Sequence, residues 1–563
     1  MSVKNSGMVN AILGVVVGVL LTLTVGSIFK LGRKVKADYT DWRKLNLILQ
    51  EVNANYVDTV DVEKVTDAAV VAALASLDPH SIYLPPEDLK QSETDLSGNF
   101  EGIGIQFNVP NDTAIVLEVI PGGPSEKVGL MTGDRLLKVN DEVIAGVRFP
   151  QDSMVRRMKG PAGTKVNVLV RRDGTDIPFE ITRGKIPVHC VDASFMLDGR
   201  TGYIKLTKFS RTTYKEVSEA ASKLLDKGMK KLVLDLRDNT GGYFDQALLL
   251  SDLFLEKGDG IVFLQGLHRK REEYKADGKG PLKDIELQVL INEQSASSSE
   301  IFAGAIQDND RGTIIGRRSF GKGLVQQPIE FSDHSMMRLT IARYYSPSGR
   351  CIQKPYTSGA DREYEEDLLS RYQHGEFFSQ DSIKHTGPEY HTGNGRIVYG
   401  GGGITPDIFI PEDTLGMTSY YKEASMSGLI VQYAYQYTDE NRAKLKELKD
   451  GKQLEAYLKR QNIVDKFAAF ADKNGLKRRN LMIQKSYKLL ERYLYSRVIY
   501  NMLDEQAWTE YLNQDDPAII QTLRLFHEGK AFPQPENTGQ PKKVAMAFDY
   551  RGTHVTANFV AHA

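Results

Sequence analysis

Cysteine is scarce in this chain: two among 563 residues, Cys190 and Cys351. They allow at most one disulfide, which excludes a disulfide-stapled scaffold. Free, buried thiols are the expectation for both. An excess of charge of either sign is also missing. With 72 basic and 73 acidic residues the net charge is −1, so no basic field exists to hold nucleic acid. No cluster has metal-ligand spacing, and no metal is expected. Histidine bases lack a partner motif: His268, His334 and His385 stand in polar surroundings, and His80, followed by Ser81, reads as structural. What remains is ordinary globular material, 41% hydrophobic and 26% charged, long enough for three or four domains.

Two stretches carry chemistry. The first is Ser295-Ala-Ser297-Ser-Ser299-Glu300, and the second, with its lysine 25 residues after Ser297, is Phe320-Gly-Lys322-Gly-Leu-Val-Gln326. Residues 286–292 read as a short buried strand, and 301–307 read as a helix. Ser297 followed three residues on by Glu300 fits a capping box, which puts Ser297 at a strand-to-helix turn. Unpaired amides and the positive end of the helix dipole gather there and can meet developing negative charge. A serine needs a base, and a lysine freed of its proton can serve. Lys322 has no carboxylate close in sequence, and its flanks are glycine and apolar residues. Burial lowers an amine from its free value of about 10.4. Gln326, four residues on, is placed to hydrogen-bond that lysine.

With these motifs in view, the chain resembles the C-terminal processing peptidases, or tail-specific proteases, from about Trp42 to about Pro411. The matching segments are Leu77-Asp-Pro-His-Ser-Ile-Tyr-Leu84, Gly102-Ile-Gly-Ile105, Gly133-Asp134, Thr201-Gly-Tyr-Ile204, Asp235-Leu-Arg-Asp-Asn-Thr-Gly-Gly242, the serine and lysine motifs, and Gly401-Gly-Gly-Ile-Thr-Pro-Asp407, in the family's order. The resemblance implies Ser297 as nucleophile, Lys322 as general base and Gln326 as the lysine's positioning partner. It implies an oxyanion hole from an amide in the Gly241-Gly242 turn plus that of Ser298. It also implies a serine endopeptidase that recognises substrate C-termini through a PDZ domain and needs no cofactor. The family usually carries alanine where this chain has Ser298, so Ser295, Ser298 and Ser299 remain spare hydroxyls. The other reading is a non-catalytic PDZ adaptor that binds protein C-termini in the cell envelope.

The fold class expected is α/β multidomain: a β-rich PDZ domain ahead of an α/β layered serine-peptidase core, with N-terminal helices and a C-terminal helical extension. The divisions are 1–37, membrane anchor and basic flank; 38–96, helices; 97–186, PDZ; 187–411, peptidase core; 412–532, helical domain; 533–563, a loosely structured tail. In the PDZ segment Gly102, Ile103, Gly104 and Ile105 offer amides to a terminal carboxylate. In the core, Asp235, Arg237 and Asp238 read as an ion pair or turn, and 355–400 reads as a surface insertion, partly mobile. Met8 to Phe29 is 22 residues without charge, enough for one membrane span. Lys30, Arg33, Lys34 and Lys36 follow it and favour a cytoplasmic body, whereas the resemblance implies an anchored body in the periplasm. Expected partners are polypeptides with accessible C-termini, the inner membrane through residues 8–29, a second copy of the chain and a regulatory adaptor; no nucleic acid is expected.

Overall fold

The structure, a computed structural model, describes residues 42–89, 98–109, 112–172, 174–359, 361–385 and 387–532. The apolar stretch 8–29 and the tail 533–563 lie outside the described residues. Among the described residues no helix is long and apolar enough to cross a membrane. The chain divides into two compact units between Ala73 and Leu74. The first contains α1 (Trp42–Asn55) and most of α2 (Val62–Ala75), which is rich in alanine and opens with Glu63 in its first turn. An acidic group there suits the helix dipole.

The second unit begins with a departure from expectation. Residues 38–95 read as helical throughout, yet β1 (Ile82–Leu84) is a strand. It pairs antiparallel with residues 336–338 of the peptidase core. The PDZ region follows, with β2 (Asn99–Gly102), β3 (Ile105–Asn108), β4 (Ala114–Val119), α3 (Pro124–Lys127), β5 (Arg135–Val139), β6 (Glu142–Val143), α4 (Gln151–Met158), β7 (Lys165–Arg172), β8 (Thr175–Thr182) and β9 (Gly184–Pro187). The sheet order is β3-β4-β5-β7-β8, with β3 at an edge. The period-2 pattern explains β7: Val166, Val168 and Val170 are buried between exposed Lys165 and Asn167. These valines join Ile103, Leu136, Ile144 and Met154 in a core of their own.

The peptidase core runs β10 (Val191–Met196), β11 (Thr201–Leu206), α5 (Thr213–Asp226), β12 (Lys231–Asp235), α6 (Phe244–Asp252), β13 (Gly260–Gln265), β14 (Glu272–Lys275) and β15 (Glu286–Ile291). It continues through α7 (Ser298–Asp308), β16 (Thr313–Gly316), β17 (Leu324–Glu330), β18 (Met336–Tyr345), a hairpin of β19 (Glu389–His391) and β20 (Ile397–Tyr399), and β21 (Ile408–Phe409). The central sheet has the order β10-β11-β12-β15-β16-β21 and is parallel from β11 onward. Strands covered on both faces read as unbroken apolar runs, as Leu232-Val-Leu234 does. Leu232 and Leu234 face the layer of α5, α6 and α7. Val233, Leu290 and Ile315 point to the opposite face, where the helix Pro517–His527 covers them with Ala518, Ile519, Leu525 and Phe526.

That helix corrects the expected boundary of the C-terminal domain. The stretch 412–532 does not form one appendage: residues 420–499 build a separate helical core around Tyr433, Phe467, Leu494 and Ile499, while 517–531 is the third layer of the peptidase. Side-chain caps start four of the helices described here, with Thr418 accepting from Tyr421 N–H at 3.3 Å, Asp450 from Gln453 at 2.8 Å, Asp504 from Ala507 at 2.8 Å and Asp516 from Ala518 at 2.8 Å. The stretch 355–400 also differs from a surface insertion. Tyr364, Arg371, Glu376 and Phe377 are buried, and Arg371 donates to the carbonyls of Ser319 and Arg318 at 2.9 and 2.7 Å, beside the lysine motif.

Candidate active site

Parallel pairing decides where the motifs meet. β12, β15 and β16 are consecutive neighbours running in one direction, so their carboxyl ends share one edge of the sheet. Loops leaving that edge are the usual place for chemistry in α/β sheets. After β12 comes the Gly241-Gly242 turn, after β15 the serine turn, and after β16 the lysine segment.

Ser297 holds φ 55° and ψ −113°, a region that non-glycine residues rarely occupy. Such a conformation costs about 1–3 kcal/mol and persists only where the surroundings enforce it. The enforcing contacts belong to Glu300. Its carboxylate accepts from the Ser297 amide at 2.9 Å, as the capping box requires. The other half of the box is also in place, with the Ser297 side chain facing Glu300 N–H, while that N–H makes its 2.9 Å hydrogen bond to the Ser297 carbonyl. The same carboxylate accepts from the amides of Gly321 (2.7 Å) and Lys322 (2.8 Å) and from the Ser319 hydroxyl (2.5 Å). Burial pushes Glu300 up to about 7 against the pull of these hydrogen bonds. One buried acid therefore staples the serine turn to the lysine segment, a role that the sequence reading confined to helix capping.

The four serines of the turn are not equivalent. Ser295 Oγ donates to the Leu236 carbonyl at 2.8 Å, Ser298 Oγ to that of Gly242 at 3.0 Å and Ser299 Oγ to that of Asn239 at 2.9 Å. All three are buried. Ser297 is partly exposed, and its hydroxyl donates no hydrogen bond among the described residues. The serine at 298, where the family usually has alanine, thus ties two loops together through its hydroxyl.

Two amides flank Ser297. A methyl built on Gly241 would lie 2.8 Å from Ser297 Cβ and 2.9 Å from the Ser298 nitrogen, and one on Gly242 only 2.1 Å from the Phe209 carbonyl oxygen. Both glycines have positive φ, 98° and 149°. Only glycine fits such positions. The Gly241 amide is occupied, donating to Asn239 Oδ1 at 2.9 Å. The amides of Gly242 and Ser298 have no partner among the described residues. Of the expected oxyanion residues, Gly242 and Ser298 offer free donors and Gly241 does not.

Lys322 is mostly buried, and burial lowers its amine from the usual lysine value, helped by Arg338 and opposed by Glu300 and Asp78. No ion-pair partner lies within reach of its amine among the described residues. Gln326 does not touch it; its amide donates to Thr340 Oγ1 at 3.3 Å. Thr340 in turn donates to Asp78 at 3.0 Å, and Asp78 also holds the amides of His80 and Ser81. Burial, aided by the charge of Lys322, pushes His80 down to about 4, so it stays neutral with Nε2 2.8 Å from the Tyr364 hydroxyl. The Leu77–Leu84 motif therefore brings Asp78 and His80 within electrostatic range of the lysine, a role for which the only sequence signal was the motif itself. Asp235 and Arg237 pair, and Arg237 reaches Asp516 at 2.7 Å. That bears out the ion-pair reading for Asp235 and Arg237. Both cysteines are free, Cys190 fully buried and Cys351 partly so.

Residues 200–362 match Peptidase family S41, residues 102–182 match the PDZ domain, and residues 420–504 match a family of unknown function (DUF8443). A carboxy-terminal-processing protease of Bartonella bacilliformis is 37% identical over 321 residues, spanning 56% of this chain and 73% of that protein. The carboxy-terminal processing protease CtpA of Bacillus subtilis is 34% identical over 346 residues, 61% of this chain and 73% of that protein. Among solved structures, a photosystem II D1 C-terminal processing protease is 30% identical and covers 57% of this chain and 85% of its own, with a TM-score of 0.33.

Proposed function

Because this chain belongs to the carboxy-terminal processing proteases of peptidase family S41, serine peptidases with a PDZ domain, we propose that it cuts polypeptides near their C-termini with a Ser297–Lys322 dyad. The observation that carries the assignment is the difference among the four serines. Only Ser297 keeps a partly exposed hydroxyl that donates to no partner among the described residues, on a strained turn between two unpartnered amides.

The chemistry follows from the residues. Ser297 Oγ attacks the scissile carbonyl while neutral Lys322 takes the hydroxyl proton. The amides of Gly242 and Ser298 receive the oxyanion, each worth roughly a hundred- to a thousand-fold in rate. Collapse expels the amine, which takes the proton from Lys322, and leaves an acyl-enzyme on Ser297. Lys322 then deprotonates the water that attacks the ester, and the second collapse frees Ser297. Lys322 must be neutral at rest, and its burial supports that.

Substrate capture is assigned to the PDZ domain. The amides of Ile103 and Gly104 have no partner among the described residues, and the outer edge of β3 is unpaired there. A terminal carboxylate would sit on those amides, next to Gly102 and Ile105, with the tail added as a strand along β3. A substrate ending in an amide should raise KM and leave kcat near its value. The uncharged stretch 8–29 supports a single membrane anchor and the family resemblance a body in the periplasm, which protease accessibility of intact cells would test.

The deciding experiment uses residues 38–563 on an unfolded, tail-tagged protein, beside Ser297→Ala and Lys322→Ala. Loss of cleavage in both, with folding intact, is the expected result. Undiminished cleavage by Ser297→Ala would move the nucleophile elsewhere.

A further inference from the structure

Besides Glu300, one more side chain outside the proposed dyad touches both of its members. Tyr344, buried on β18, directs its hydroxyl to the main-chain carbonyl of Ser297, at 3.2 Å, and to that of Lys322. These two carbonyls belong to segments that leave different strands, β15 and β16. The Lys322 carbonyl has no other donor among the described residues. On the opposite side of the backbone, Glu300 accepts the amides of the same two residues. Each reacting residue is thus gripped by N–H and by C=O, and both grips are shared.

We infer that Tyr344 is a positioning residue of the reaction, whose hydroxyl fixes how deeply Lys322 sits beside Ser297. The inference rests on the dyad reading. Without the phenolic proton the two carbonyls face each other with nothing between them, and that of Lys322 is left unmet. The gap opens, and the amine gains water. The groups facing Lys322 sharpen the effect. Glu300 and Asp78 favour its charged form, Arg338 opposes it, and neutral His80 adds no charge. Only burial and Arg338 keep the amine neutral, so exposure raises its basicity. A protonated lysine cannot take the serine proton, and the acid limb of the rate profile moves to higher pH.

The test is kcat/KM from about pH 6 to about pH 10 for the wild type, Tyr344→Phe, Tyr345→Phe and Lys322→Ala. Rates are expressed per site titrated with a fluorophosphonate, so unfolded molecules do not count. Tyr345, whose ring stacks on Phe263 at 4.8 Å, serves as the control. In Tyr344→Phe the acid limb should rise by about one pH unit or more. At neutral pH kcat should fall roughly 10- to 100-fold, recover toward high pH, and leave KM nearly unchanged. Tyr345→Phe should keep the wild-type limb. A Tyr344→Phe limb at the wild-type position would overturn the inference, whatever the loss of rate, because a purely structural tyrosine changes the number of sites and not their profile. If Lys322→Ala is inactive while the Tyr344→Phe limb stays put, the positioning role alone fails. If Lys322→Ala keeps the wild-type rate, the dyad reading fails, and the inference with it. Should Tyr344→Phe give no titratable sites, Tyr344→Gln, with a shorter amide donor, goes through the same profile. A raised limb supports the inference and an unmoved one overturns it.

Discussion

Replacing Phe526 by alanine should weaken the peptidase core itself, although this residue lies more than a hundred positions beyond the last family motif. Phe526 is 1% exposed and packs with Val233, Leu290 and Ile315 on the face of the central sheet away from α7. Truncating a buried phenylalanine removes its transfer energy and leaves a cavity, together about 3–5 kcal/mol. The ammonium of Lys231, 5.3 Å from the ring centre, loses a further small cation–π contribution, but keeps its 2.6 Å bond to the Phe526 carbonyl. Ile520, on the same helix and 50% exposed, is the internal control. Its change to alanine removes no core contact and improves helix propensity slightly, so the effect should lie within about 0.5 kcal/mol of zero. The measurement is residual peptidase activity after equilibration in urea, since both tryptophans, Trp42 and Trp508, lie outside the peptidase core. With a slope of about 3 kcal/mol per molar, the midpoint should fall by about 1–2 M for Phe526→Ala and stay put for Ile520→Ala. If Phe526→Ala moves the midpoint no more than Ile520→Ala does, the helix is an appendage and the third-layer assignment is wrong.

Other consequences concern the site. Ser298→Ala deletes the hydroxyl's bonds to the Gly242 and Tyr243 carbonyls and leaves the amide in place, so stability should drop by about 1 kcal/mol and kcat by no more than about threefold. Gly242→Ala instead drives a methyl to 2.1 Å from the Phe209 oxygen, and kcat should fall at least a hundred-fold; steady-state kinetics on both variants separates hydroxyl from amide. Glu300→Gln should lower kcat about 100-fold, because an amide cannot accept from three N–H groups and a hydroxyl as the carboxylate does. Burial holds Glu300 at about 7, above its ordinary 4.5. Its protonation therefore favours the folded state: the contribution is full below about 4.5 and lost as pH rises through 7. Going from about pH 8 to about pH 5 should stabilise the wild type more than Glu300→Gln, as read from urea midpoints at the two pH values; equal gains would show that Glu300 does not titrate there.

Much of the fold was legible because it is local. The strand expected at 286–292 is β15, and the helix expected at 301–307 is α7. Each is a short periodic run bounded by turn residues, which one-dimensional pattern reports well. β1 escaped because three residues are too few to show alternation, and its pairing partner lies more than 250 positions away. The segment around Tyr364 and Arg371 looked like a surface insertion because its polar residues are satisfied by distant backbone, such as the Ser319 carbonyl. The final helix read as part of the 412–532 helical domain because nothing local ties Phe526 to Val233.

The sequence alone pointed to the proposed Ser297–Lys322 pair, and it set the order of the modules and the glycines of the turn. Those depend on residue type at fixed spacing, and spacing survives without a fold. Tertiary structure decided the rest. It committed three of the four serines, gave the Gly241 amide to Asn239, and turned Gln326 toward Thr340. It also wrapped Asp78, His80, Glu300 and Tyr344 around the lysine. The physical reason is that hydrogen-bond partners and burial depth belong to neighbours in space, and the parallel edge of β12, β15 and β16 chose those neighbours.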